Sequence, residues 1–194
     1  MAFLCHEKIA QAGPHCLNCT ATERSETIMA GLDTDRTRGW DFWRIIWLMP
    51  AVFAPHIAAE YYGGCPDWVT RVMGASFNNL AFALNNLAFM LILLALTFWA
   101  SRTRSRMAAF LLIAWASGNL FWDALFHIFG TVFFGSYFPR TVTATLLYFP
   151  ISLWVGWSAL RQSVLSPAAF AGAVAVGLGL MGFVIWYGLF HFAL

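Results

Sequence analysis

Two histidine–carboxylate pairs stand inside the apolar bulk of this chain, each with a spacing of four residues: His56 with Glu60, and Asp123 with His127. Residues i and i+4 share one face of a helix, so each pair presents an imidazole beside a carboxylate. Every other acidic residue precedes the first long apolar run or, like Asp67, lies in the loop after it. An ionisable side chain at the centre of a bilayer costs about 2.5–3.5 kcal/mol on insertion scales, and such residues mark functional sites by default. Imidazole nitrogen with carboxylate oxygen suits zinc or iron and leaves open positions for water. The same groups can work as general acid and base. The expected site therefore has His56, Glu60, Asp123 and His127 as ligands of a divalent metal, zinc or iron, with Glu60 and Asp123 as its catalytic carboxylates.

The elements that must position these groups are helices in a membrane. Of 194 residues, 60% are hydrophobic and only 10% charged, where a soluble domain carries roughly 25% charged residues. Five apolar runs, 43–62, 78–100, 107–134, 141–160 and 168–192, each come near the ~20 residues that a spanning helix needs. The fold class is all-α: a polytopic membrane protein, a bundle of five transmembrane helices occupying 40–194. Residues 1–39 are polar with no periodic apolar face, and are expected to be a disordered leader; Met29 offers a second possible start. With no apolar h-region in the leader, the first membrane helix is expected to act as its own insertion signal. Cys16 and Cys19 lie near Cys5, His6 and His15 and could ligate zinc, but their spacing fits no established finger. With Cys65 they form no disulfide framework, since the fold rests on apolar helices.

The breaks between helices are legible. Gly63-Gly64-Cys65-Pro66-Asp67 reads as a turn, because Pro66 cannot continue the preceding helix. The segment 101–106 carries three arginines, and 135–140 and 162–167 separate the later runs. Arg36, Arg38, Arg102, Arg104, Arg106 and Arg161 collect on the side of the N-terminus, against Arg71 and Arg140 opposite. The positive-inside rule then puts the N-terminus in the cytoplasm and the C-terminus outside. At about 1.5 Å per residue, Glu60 lies roughly 26 Å along the first helix. Asn78, Asn79, Asn85, Asn86, Asn119, Tyr137, Arg140 and His191 fall in the same outer half. Asn79, Asn119, Tyr137 and Arg140 complete the expected pocket, although asparagines also serve as interhelical glue worth on the order of 0.6–2 kcal/mol per contact. In the fifth helix Ala171, Ala175 and Gly179 recur every four residues, with Gly172, Gly177, Gly182 and Gly188 nearby, which predicts close packing within the bundle or between protomers of a homo-oligomer.

Trp47-Leu48-Met49-Pro50, followed by His56-Ile57-Ala58-Ala59-Glu60, resembles the signature of the HXXEE family of small bacterial integral membrane proteins. Asn119, His127, Tyr137, Pro139, Thr143 and Ala144 are similar to the family's later motif, and the resemblance covers roughly 43–160. It implies a multi-pass protein of the bacterial inner membrane and leaves the reaction open. The family motif has two adjacent glutamates, where this chain has Ala59 and Glu60. Asp123 is the candidate for the missing carboxylate.

Net charge is +2 and the arginines sit in loops rather than on a stripe, which argues against nucleic acid as a partner. No serine elbow, phosphate loop or HExxH motif narrows the chemistry. The expected function is a metal-dependent enzyme with a buried His/Glu/Asp pocket in the non-cytoplasmic half, acting on a membrane lipid or an apolar small molecule. A proton-coupled transporter and a non-catalytic accessory subunit are the alternatives. Five helices without internal symmetry count against the transporter.

Overall fold

The structure, a computed structural model, describes residues 41–74, 78–135, 137 and 141–189, with 188 and 189 as backbone alone. The polar leader with its cysteines, Arg140 and His191 lie outside the described residues. Helix α1 spans Phe42–Tyr62, and a short α2 spans Cys65–Met73. They are followed by α3 (Asn79–Thr103), α4 (Arg106–Phe133), α5 (Thr141–Arg161) and α6 (Pro167–Tyr187). All but α2 are long and apolar enough to cross a membrane. No strand occurs among the described residues, so the chain is an all-α bundle.

Local chemistry sets the helix starts. Asn78, Ser105 and Ser166 each accept a backbone N–H three residues on, from Ala81, Ala108 and Ala169. Each thereby satisfies one of the donors that a helix N-terminus leaves unpaired. Asn78 is thus a cap rather than a pocket residue. Between α3 and α4 the chain reverses through Arg104 in the left-handed region (φ 50°).

One expectation needs correction. The chain does turn at Gly63-Gly64, with Gly64 at φ 75°, but Cys65 and Pro66 open α2 rather than extend a loop. Proline lacks an N–H that the first helical turn would leave unpaired anyway, so it is tolerated there. Cys65, Trp68 and Val69 turn inward and pack with Ala81 and Phe82 of α3.

The main core joins Phe42, Met49 and Phe53 of α1 to Leu93 of α3, Leu112 and Leu120 of α4, and Tyr148 and Val155 of α5. Helix α6 closes on α4 through glycine. A Cβ at Gly177 would overlap Ser117 Oγ and lie 2.7 Å from the Ala114 carbonyl oxygen and 2.8 Å from the Gly118 nitrogen. Ala173 and Gly177 face the bundle, whereas Ala171, Ala175 and Gly179 are exposed. Of the small residues read in the sequence, Gly177 is therefore the one that packs closely inside the bundle.

Three stretches among the described residues are π-helical, Ser117–Trp122 in α4, Ala144–Tyr148 in α5 and Ile185–Leu189 where α6 ends. Such turns shift the side-chain register and recur at functional sites. The first delivers Asp123, and the second ends at Tyr148. The start of α1 and the ends of α3 and α5 share one end of the bundle: the Phe42 N–H donates to Gln162 Oε1 (3.0 Å), and Arg104 lies 3.8 Å from Asp41. Glu60 stands near the other end of α1.

Candidate metal centre

Helices α1 and α4 bring both pairs into one cluster. Glu60 Oε1 lies 3.7 Å from His56 Nε2 and 3.1 Å from His127 Nε2. Asp123 Oδ2 lies 3.7 Å from His56 Nε2 and 3.6 Å from His127 Nε2. Acid and imidazole therefore alternate around a ring, and the two imidazoles meet edge to face with centroids 5.4 Å apart. His56 and His127 are 0% and 1% exposed, and Glu60 is also buried. Asp123 is the wettest member, with 22% of its side chain accessible.

The ligand atoms of His56, Glu60 and His127 all lie within 4.8 Å of one another, close enough to share an ion. With bonds of about 2.0–2.2 Å in tetrahedral geometry, ligand atoms sit roughly 3.4 Å apart. The separations of 3.1 and 3.7 Å around Glu60 bracket that value. Two histidines with one carboxylate is a donor set for zinc or non-haem iron with positions left open. Asp123 touches both histidines but is not one of this three-atom group.

Neighbouring helices hold the rings in place. His56 Nδ1 pairs with Thr143 Oγ1 of α5 at 2.9 Å. With Nδ1–H donating to that hydroxyl, the Nε2 lone pair faces the carboxylates, the orientation a metal ligand requires. The Tyr148 ring lies against His56 with centroids 4.0 Å apart. The backbone carbonyl of His127 accepts from Thr131 Oγ1 (3.0 Å) and Thr141 Oγ1 (3.3 Å), tying α4 to α5.

A cavity of about 100 Å³ opens on the cluster, lined by Glu60, Asp123, His127, Asn119 and Tyr148 among others. Of the residues expected in the pocket, Asn119 lines this cavity and donates to the Trp115 carbonyl (3.0 Å). Asn79 is exposed at the first position of α3, and Tyr137 is 59% exposed; neither lines the cavity. Three neighbours escaped the reading of the sequence as site residues. Thr143 orients His56. Tyr148 is wholly buried, and its hydroxyl has no hydrogen-bond partner among the described residues. Cys65, brought in by α2, points Sγ at Glu60 Oε1 from 3.9 Å. A single tyrosine, threonine or cysteine carries no periodic signal, whereas the i, i+4 pairs did.

Fold and site together define a class: an all-α bundle of membrane-length helices with a histidine–carboxylate cluster buried between the first and fourth helices. The chain belongs to the HXXEE family, whose model, described as a protein of unknown function with HXXEE motif, matches residues 47–155. No curated protein and no solved structure matches the chain.

Proposed function

We propose that this protein is a metal-dependent enzyme of the membrane, acting on a lipid or an apolar small molecule. The observation that carries the reading is the compact group of His56, Glu60 and His127, buried where an unpaired charge would be costly. His56, Glu60 and His127 would hold the ion, zinc or iron. When bound, it supplies Lewis acidity toward a substrate oxygen or a water. Asp123, outside the three-atom group and more open to the cavity, takes up the proton released at the reacting centre. The Tyr148 hydroxyl donates to an oxygen of the substrate, which would satisfy a buried group that otherwise lacks a partner.

The protein is read as multi-pass in a bacterial inner membrane, with its N-terminus cytoplasmic, its C-terminus outside and the site in the outer half. Arg102, Arg104 and Arg161 at the ends of α3 and α5, remote from Glu60, support this orientation under the positive-inside rule.

Metal content tests the proposal. Full-length protein, extracted in detergent without chelator and loaded with zinc or ferrous iron, is expected to retain about one equivalent on desalting, as a single site demands. His56→Ala and His127→Ala are expected to lose it. Wild-type protein that retains no more metal than the doubly substituted chain would remove the basis of the reading.

A further inference from the structure

A second, larger groove of about 380 Å³ runs between α3, α4 and α6. Its walls include Leu84, Ala88, Leu180, Phe183 and Tyr187, and Leu84, Phe183 and Tyr187 are 46%, 57% and 44% exposed. These positions lie within helices that are long and apolar enough to cross a membrane, so the surface facing them is hydrocarbon. The groove and the site cavity share Asn85, Phe89, Asn119 and Val184 as lining. The groove and the site cavity therefore adjoin at a junction whose wall includes two amides.

The junction is where the chemistry changes. Asn85 is half-buried and makes no described hydrogen bond, although an amide in hydrocarbon is expensive without one. The described bond of Asn119 uses one N–H of its amide, toward the Trp115 carbonyl. Neither lining contains a lysine or arginine, and the ionisable groups inward are Glu60, Cys65, Asp123, His127 and Tyr148. A phosphate head group would find no lysine or arginine at the junction to pair with its charge, whereas an ester, amide or hydroxyl would match the two asparagines.

We propose that the groove is a lateral entry site for an uncharged single-chain amphiphile: its hydrocarbon chain lies between α3 and α6, and its ester, amide or alcohol group reaches the metal centre past Asn85 and Asn119. This rests on the enzymatic reading above and deepens it by naming the substrate class and its route, sideways from the bilayer. The hydrocarbon chain finds the apolar wall it needs, and the polar head supplies a partner that Asn85 does not have among the described residues.

The test uses full-length protein in phosphatidylcholine nanodiscs containing a monoacylglycerol with a photoreactive diazirine at mid-chain, with labelled peptides mapped by mass spectrometry. Labelling is expected to concentrate on the α3 and α6 walls around Leu84, Ala88 and Phe183. Ala88→Trp, which fills the groove, is expected to lower groove labelling about tenfold while zinc binding is retained. Asn85→Leu should weaken competition by unlabelled monoacylglycerol. If Ala88→Trp also loses zinc, and with it evidence of folding, Leu84→Trp is read in its place. Labelling spread evenly over other exposed faces, such as those at Leu91 and Leu153, would overturn the proposal. So would groove labelling unchanged by a zinc-binding Trp variant. Groove-specific labelling in a wild-type protein that binds no metal would support the entry site and sink the metal reading, so the two failures are distinguishable.

Discussion

Thr143 touches no substrate atom, yet removing its hydroxyl should weaken metal binding. Its Oγ1 holds His56 Nδ1 at 2.9 Å, on an imidazole that is 0% exposed. Thr143→Val removes the hydroxyl while nearly preserving shape, and leaves a buried ring nitrogen without that bond. An unsatisfied buried polar group costs about 1–3 kcal/mol. Loss of a partner that orients a metal-bound histidine typically lowers metal affinity about 10–100-fold, or about 1.4–2.8 kcal/mol. The two costs agree in size. Competition between protein and a calibrated chelator for zinc reads the effect directly, with thermal unfolding as a check on the fold. Thr143→Ser, which keeps the oxygen, should recover most of the affinity. A valine variant that binds zinc as tightly as wild type, or a serine variant as weak as valine, would refute the orienting role.

Four further outcomes follow from the same geometry. Glu60→Gln should abolish tight zinc binding while Asp123→Asn largely preserves it, since Asp123 is not in the three-atom group; chelator competition separates them. Zinc binding should weaken on acidification, because imidazole coordinates only when neutral and binding releases protons; titration at stepped pH reads this. Gly177→Ala should destabilise the bundle by about 1–3 kcal/mol, as the added carbon meets the Ala114 carbonyl oxygen and the Gly118 nitrogen of the α4 backbone as well as Ser117 Oγ, so that turning the serine alone does not relieve it; thermal unfolding in detergent reports it. Asn78→Ala should lose about 1 kcal/mol through the missing cap and leave zinc affinity unchanged.

What the sequence disclosed follows from periodicity. The five apolar runs locate the long helices because hydrocarbon thickness imposes a length, and their ends shift by only a few residues where Asn78, Ser105 and Ser166 supply caps. The pairs His56/Glu60 and Asp123/His127 stood out because a spacing of four has a fixed meaning on a helix, and the folded chain joins them. Helix α2 was hidden because glycine and proline read as a turn, although proline is at home in a first helical turn. The π-helical stretches of α4 and α5 leave no mark on apolar spacing, yet they lead into Asp123 and bring Tyr148 against His56. Cys65 reaches Glu60 only because α2 folds back beneath the end of α1, a tertiary event with no local signature.

X-ray absorption at the zinc or iron edge of the loaded full-length protein tests the central claim most directly. The predicted shell contains only nitrogen and oxygen at about 2.0–2.2 Å, with outer scattering from two imidazoles that falls to one in His56→Ala and in His127→Ala. A sulfur ligand in the wild-type shell, or a shell that neither substitution alters, would contradict a centre built from His56, Glu60 and His127.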